Sequence, residues 1–110
     1  MAITINIRYT GEGENAKKFA EEMVSSGVVE SIRNENGNLR YEYFFSMEDS
    51  HTVLLIDSWE NQKAIDEHHD SPMMKAIAEL RKKYDLHMTV ERFLSDESGN
   101  GDKDEKFIRK

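Results

Sequence analysis

The period of the hydrophobic positions changes several times along this chain, and each change marks an element. Residues 2–9 alternate strictly, with Ile3, Ile5, Ile7 and Tyr9 on one side and Thr4, Asn6 and Arg8 on the other. A period of two describes a strand with one apolar face, and Gly11 and Gly13 end it. From residue 15 to 26 the spacing becomes helical. Ala16, Phe19, Ala20, Met23 and Val24 share one face and Lys17, Lys18, Glu21 and Glu22 the other, with Asn15 as the expected N-cap and Gly27 as the stop. Residues 28–35 and 38–46 flank Asn36-Gly37, a strong hairpin signal, so they are expected to be paired strands. One face of that hairpin would carry Val28, Ile32, Leu39, Tyr41, Tyr43 and Phe45. Residues 51–57, rich in aliphatic side chains at their centre, predict a further strand.

Residues 59–69 predict a short helix with Ser58 as N-cap, and Ser71-Pro72 opens a second helical stretch. Met73, Met74, Ile77, Leu80 and Tyr84 form its inward stripe, and Arg81, Lys82 and Lys83 suit its C-terminal end. Residues 86–93 alternate again. The expected order is β-α-β-β-β-α-β, an α+β fold with an antiparallel sheet and helices on one face. That domain spans residues 1–94. Residues 95–110 shift to Ser, Gly, Asn and charged residues, the composition of a disordered tail.

Two helices cover one face of a sheet, yet Tyr43-Phe44-Phe45 and Val53-Leu54-Leu55-Ile56 place apolar groups on both. A second copy of the chain is the simplest cover for the other face, so a homodimer with sheets packed face to face is expected.

Composition narrows the function. The chain has 110 residues, no cysteine and a formal net charge of −7. The first suits one domain. The second excludes disulfides, a thiol nucleophile and cysteine-ligated zinc. The third argues against a nucleic-acid partner, which needs a basic face. The longest apolar run is too short for a membrane span, and the N-terminus has no secretory pattern, so a cytoplasmic protein is the expectation.

The candidate chemistry is sparse. His51 and His87 are expected to be solvated, and His68 and His69 point about 100° apart on one helix, which does not suit a shared metal. Trp59, the only tryptophan, ends the central strand. Asn6 and Arg8 lie on the polar side of an otherwise apolar strand, where they would need partners if a dimer enclosed them.

Residues 59–68, Trp-Glu-Asn-Gln-Lys-Ala-Ile-Asp-Glu-His, followed by Ser71-Pro72-Met73-Met74, resemble the antibiotic biosynthesis monooxygenase family. Glu35-Asn36-Gly37-Asn38-Leu39-Arg40-Tyr41 is similar to a hairpin of that family, and the likeness runs from about residue 2 to residue 93. The resemblance implies a ferredoxin-like fold that pairs into a dimeric α/β barrel. It implies a monooxygenase needing no cofactor, which oxidises a quinol- or anthrone-like aromatic with O2. Carried onto this chain, His68 is the candidate base, Trp59 and Asn6 position or polarise the substrate, and Tyr41 and Arg8 are the substrate-binding candidates. The alternative is a binding module of the same fold that holds a small aromatic without turning it over. Haem degradation is less expected, because Ala78 occupies the position of that group's histidine ligand.

Overall fold

A computed structural model describes residues 1–110. Four antiparallel strands form the sheet: β1 (Ile3–Thr10), β2 (Asn38–Phe45), β3 (Thr52–Trp59) and β4 (His87–Leu94), in the spatial order β2-β3-β1-β4. Helices α1 (Asn15–Ser25), α2 (Val28–Arg33), α3 (Gln62–His69) and α4 (Met73–Lys83) cover one face. The sheet is antiparallel with helices on one face, as the hydrophobic pattern predicts, and its four-stranded order is the ferredoxin-like one that the resemblance implies.

The alternation in β1 sets the two faces. Ile3, Ile5, Ile7 and Tyr9 point to the helices, in register with Trp59, Asp57, Leu55 and Val53 of β3. The core lies between this face and the helices, where Phe19, Met23, Val29, Ile32, Val53, Leu55 and Trp59 are fully enclosed. Phe19 of α1 packs its ring 4.8 Å from Tyr9 and 6.0 Å from Tyr43, which ties the helix to the sheet. On the opposite face Thr4 and Ser58 share a hydrogen bond of 2.8 Å, and Arg8 pairs with Glu91.

One expected strand is a helix. Val28–Arg33 forms α2, and Val29 and Ile32, three apart, are its buried residues. Gly27, at φ +87°, lets the chain leave α1 and start again at once as α2. The β-branched residues favour a strand locally, but their spacing suits a helix packed on β2, and tertiary packing decides. Asn36-Gly37 therefore links a helix to a strand rather than two strands. A bulge between Asn38 and Arg40 also removes Leu39 from the apolar face, leaving it exposed.

The helix starts differ in detail. Glu14, not Asn15, precedes α1, and the Asn15 amide donates to the Tyr84 carbonyl. Val24 of that helix is exposed. Ser58 remains within β3, and Asn61 caps α3 instead. Pro72 stands at the N-cap of α4, and the Ser71 hydroxyl makes no cap. The tail is exposed throughout except for Ser95 and carries one helical turn, α5 (Asp102–Glu105). No helix is long and apolar enough to cross a membrane.

Candidate active site

A cavity of about 300 Å³ lies between the sheet and helices α3 and α4. That is the low end of the range for small-molecule sites. Alternation on β1 and β3 supplies its floor: Ile5, Ile7 and Tyr9 from one strand, Asp57 and Trp59 from the other. Ile65 and His68 come from α3, Met74, Ile77 and Arg81 from α4, and Tyr41 from β2. Met88, Val90 and Arg92 of the exposed edge strand β4 complete the rim.

His68 is the most constrained polar group in the cavity. It is only 5% exposed, and its ring stacks on Trp59 at 4.7 Å with 28° between the planes. Nδ1 is 2.7 Å from Glu35 Oε2 and 3.0 Å from Oε1. A carboxylate accepts here, so Nδ1 carries a proton, and in the neutral ring the lone pair is then the one on Nε2.

Local sequence explains how Glu35 reaches it. Gly37, at φ +80°, lies so close to α3 that a Cβ there would stand 2.6 Å from the Ala64 Cβ. The Gly37 carbonyl accepts from the Glu60 N–H at 2.9 Å, holding the loop against the start of α3. At that start Asn61 Oδ1 accepts from the Ala64 N–H at 2.9 Å, satisfying a helix-end donor. Asn61→Ala is expected to cost about 1 kcal/mol, read as a lower urea midpoint with an unchanged slope.

Asp57 is the buried acid of the site. Trp59 Nε1 donates to its Oδ1 at 2.5 Å. Burial raises its pKa from 3.8 to about 7; the indole hydrogen bond offsets part of that rise and the charge on Glu35 adds to it. Burial also pushes the Tyr41 hydroxyl well above its usual value and Tyr9 up to about 12. Both phenols are neutral hydrogen-bonding groups at physiological pH. The cavity thus joins an oriented imidazole, a partly protonated carboxyl group and neutral phenols within apolar walls.

The structure brings His68, Trp59 and Tyr41 together, with the Tyr41 and His68 rings 6.4 Å apart. It does not bring Asn6 and Arg8 to them. Their even-numbered positions on β1 place them on the other face of the sheet, paired across strands with Ile56 and Leu54. Glu35 and Asp57 were not among the sequence candidates. The signal for Asp57 was its inward position in the Val53, Leu55, Asp57, Trp59 series, where a carboxylate breaks an apolar face. Glu35 opens the segment that resembles a hairpin of the family, but nothing in its spacing marks its partner, which stands 33 residues away. His51 and His87 are exposed, and the His51 ring contacts the Gly13 carbonyl.

The sequence profile of the antibiotic biosynthesis monooxygenase family matches residues 2–80. No curated protein matches the chain. Several solved structures share the fold. A Deinococcus radiodurans protein, provisionally named an antibiotic biosynthesis monooxygenase, is 19% identical with a TM-score of 0.76, over 91% of this chain and 97% of that one. A variant of SnoaB, a cofactor-independent oxygenase from Streptomyces nogalater, is 16% identical with a TM-score of 0.70, over 86% and 92%. Another structure named an antibiotic biosynthesis monooxygenase is 18% identical with a TM-score of 0.69, over 86% and 98%. At these identities the likeness is one of fold, while the profile match takes in most of the 110 residues, including β1, β3, α3 and most of α4. The chain belongs to the antibiotic biosynthesis monooxygenase family.

Proposed function

We propose that the protein is a cofactor-independent monooxygenase that oxidises a quinol- or anthrone-like aromatic with dioxygen. The observation that carries this reading is His68, buried, stacked on Trp59, held by Glu35 and lining a largely apolar cavity. With Nδ1–H donated to Glu35, the Nε2 lone pair takes a phenolic or benzylic proton from the substrate. The resulting anion is electron-rich enough to reduce dioxygen, and carbon and oxygen join as a peroxide. As the O–O bond breaks, the peroxide-bearing carbon loses its remaining hydrogen as a proton and becomes a carbonyl, and the distal oxygen leaves as water, its two hydrogens balancing the two protons taken from the substrate. One oxygen atom enters the product, and the electrons that reduce the other come from the substrate. Trp59 and Tyr41 position the ring, and Asp57, half-protonated near pH 7, supplies the proton that leaves with the distal oxygen. Apolar walls keep water from quenching the anion.

The family match and the fold shared with a cofactor-independent oxygenase support this reading. Its test is oxygen uptake by the purified, metal-stripped protein against hydroquinones, naphthohydroquinones and anthrones, with autoxidation subtracted. Uptake above background is expected. Absence of uptake across the panel by folded protein contradicts catalysis, and ligand binding retained in that case indicates the binding-module alternative.

The catalytic unit is proposed to be a homodimer joined through the sheet face that carries no helices. Leu54, Ile56 and Phe44 are only half-buried there, Phe93 is 49% exposed, and Asn6 Oδ1 is enclosed without a hydrogen-bond partner. An enclosed carbonyl oxygen without a donor is costly, and a second sheet supplies both donors and apolar cover. Sedimentation at micromolar concentration is expected to give the dimer mass; a clean monomer contradicts it.

A further inference from the structure

The cavity contains two cations that the oxygen chemistry does not use. Arg81 of α4 and Arg92 of β4 both line it, in a chain of net charge −7. Neither has a carboxylate partner: Arg81 Nη1 donates to the Met88 sulfur at 3.1 Å, and Arg92 Nη2 to Gln62 Oε1 at 2.7 Å. Arg8 and Arg40, by contrast, pair with Glu91 and Glu42 on the far face of the sheet. A thioether is a weak acceptor, so the half-buried Arg81 keeps donors directed at the cavity without a matching anion. The acid within the cavity, Asp57, is bonded to the Trp59 indole instead. Arg81 lines the same cavity as Tyr9 of the floor.

The two ends of the cavity are well separated. Tyr9 is in register with Met88, beside Arg81, whereas Ile3 is in register with Trp59, beside His68. Six residues of strand span about 20 Å, and side chains reach inward from both ends. An aromatic of two fused rings is small enough for the cavity of about 300 Å³ between them.

We infer that the substrate is an aromatic acid, with its carboxylate held by Arg81 while its reacting ring lies against Trp59 and His68. Arg92, exposed at the rim, adds positive potential that draws the anion in. This inference rests on the proposed oxidation of an aromatic in the same cavity and names the class of that aromatic.

Calorimetric titration with hydroxynaphthoate and with its uncharged carboxamide tests the inference without requiring turnover. The acid is expected to bind about 10–100-fold more tightly than the amide, the range of a charge-assisted hydrogen bond. Arg81→Gln is expected to erase that preference. Should the variant fail to fold, salt titration of the native protein decides: affinity for the acid is expected to fall with ionic strength while that for the amide holds. Equal affinity for acid and amide, or a preference that survives Arg81→Gln, overturns the carboxylate site and leaves the aromatic cavity standing. Binding of neither compound overturns both.

Discussion

His68→Ala is expected to lower turnover by about 10²–10⁴-fold, the usual contribution of a positioned general base. The expectation follows from how the imidazole is held. Glu35 takes Nδ1–H, Trp59 covers one ring face, and Nε2 is left without an assigned protein partner. Alanine removes the base, but it also removes a packed ring, so some loss of stability accompanies it. His68→Gln separates the two effects. A glutamine amide can still donate toward Glu35 and fill much of the volume, yet it cannot accept a proton near neutral pH. The two variants are therefore expected to lose turnover alike while glutamine keeps a melting temperature nearer that of the native protein. Turnover and thermal unfolding measured on the same preparations check this, and native-like turnover in His68→Gln rules out the histidine as base.

Asp57→Asn is expected to stabilise the protein at alkaline pH while impairing turnover. The folded-state pKa of Asp57 is about 7, against an unfolded value of 3.8. Its contribution is therefore fully present below about pH 4. Between pH 4 and pH 7 the unfolded chain ionises while the folded chain holds its proton, and stability declines. Above pH 7 the folded protein carries a buried carboxylate. A shift of about three units corresponds to about 4 kcal/mol at the top of that range. Asparagine is neutral throughout and still accepts from the Trp59 indole. Urea unfolding at pH 4 and pH 8 is expected to show similar stabilities at the lower pH and a more stable variant at the higher. Parallel pH profiles for the two proteins contradict a buried, protonated Asp57. A residue that costs stability where it is ionised yet serves the reaction is a familiar compromise at active sites.

Where one face of an element was clearly apolar, its structure could be read from periodicity. The strict alternation of residues 2–9 predicted β1, and the Phe19 and Met23 stripe predicted α1. Val28–Arg33 was misread because β-branched residues beside Asn-Gly favour a hairpin locally, whereas its six residues are held as a helix by the sheet beneath. The site was legible in part for the same reason. Trp59 and His68 fall on a strand end and a helix whose likeness to the family extends over ten consecutive residues. Asn6 and Arg8, candidates carried over from the family likeness, lie across the sheet from the cavity, which is built on the apolar side of β1. Glu35 could not be found from spacing, because a loop packed through Gly37 brings it to His68. Such a contact exists only once the tertiary fold is formed.

The most direct test of the proposed chemistry is product analysis after metal-stripped protein has oxidised an anthrone under isotopically labelled dioxygen. Incorporation of one labelled atom into the carbonyl product, faster than autoxidation and lost in His68→Gln, is the expected result. Product formed only at the background rate, or at equal rates by the native protein and His68→Gln, contradicts a cofactor-independent oxygenation based on His68.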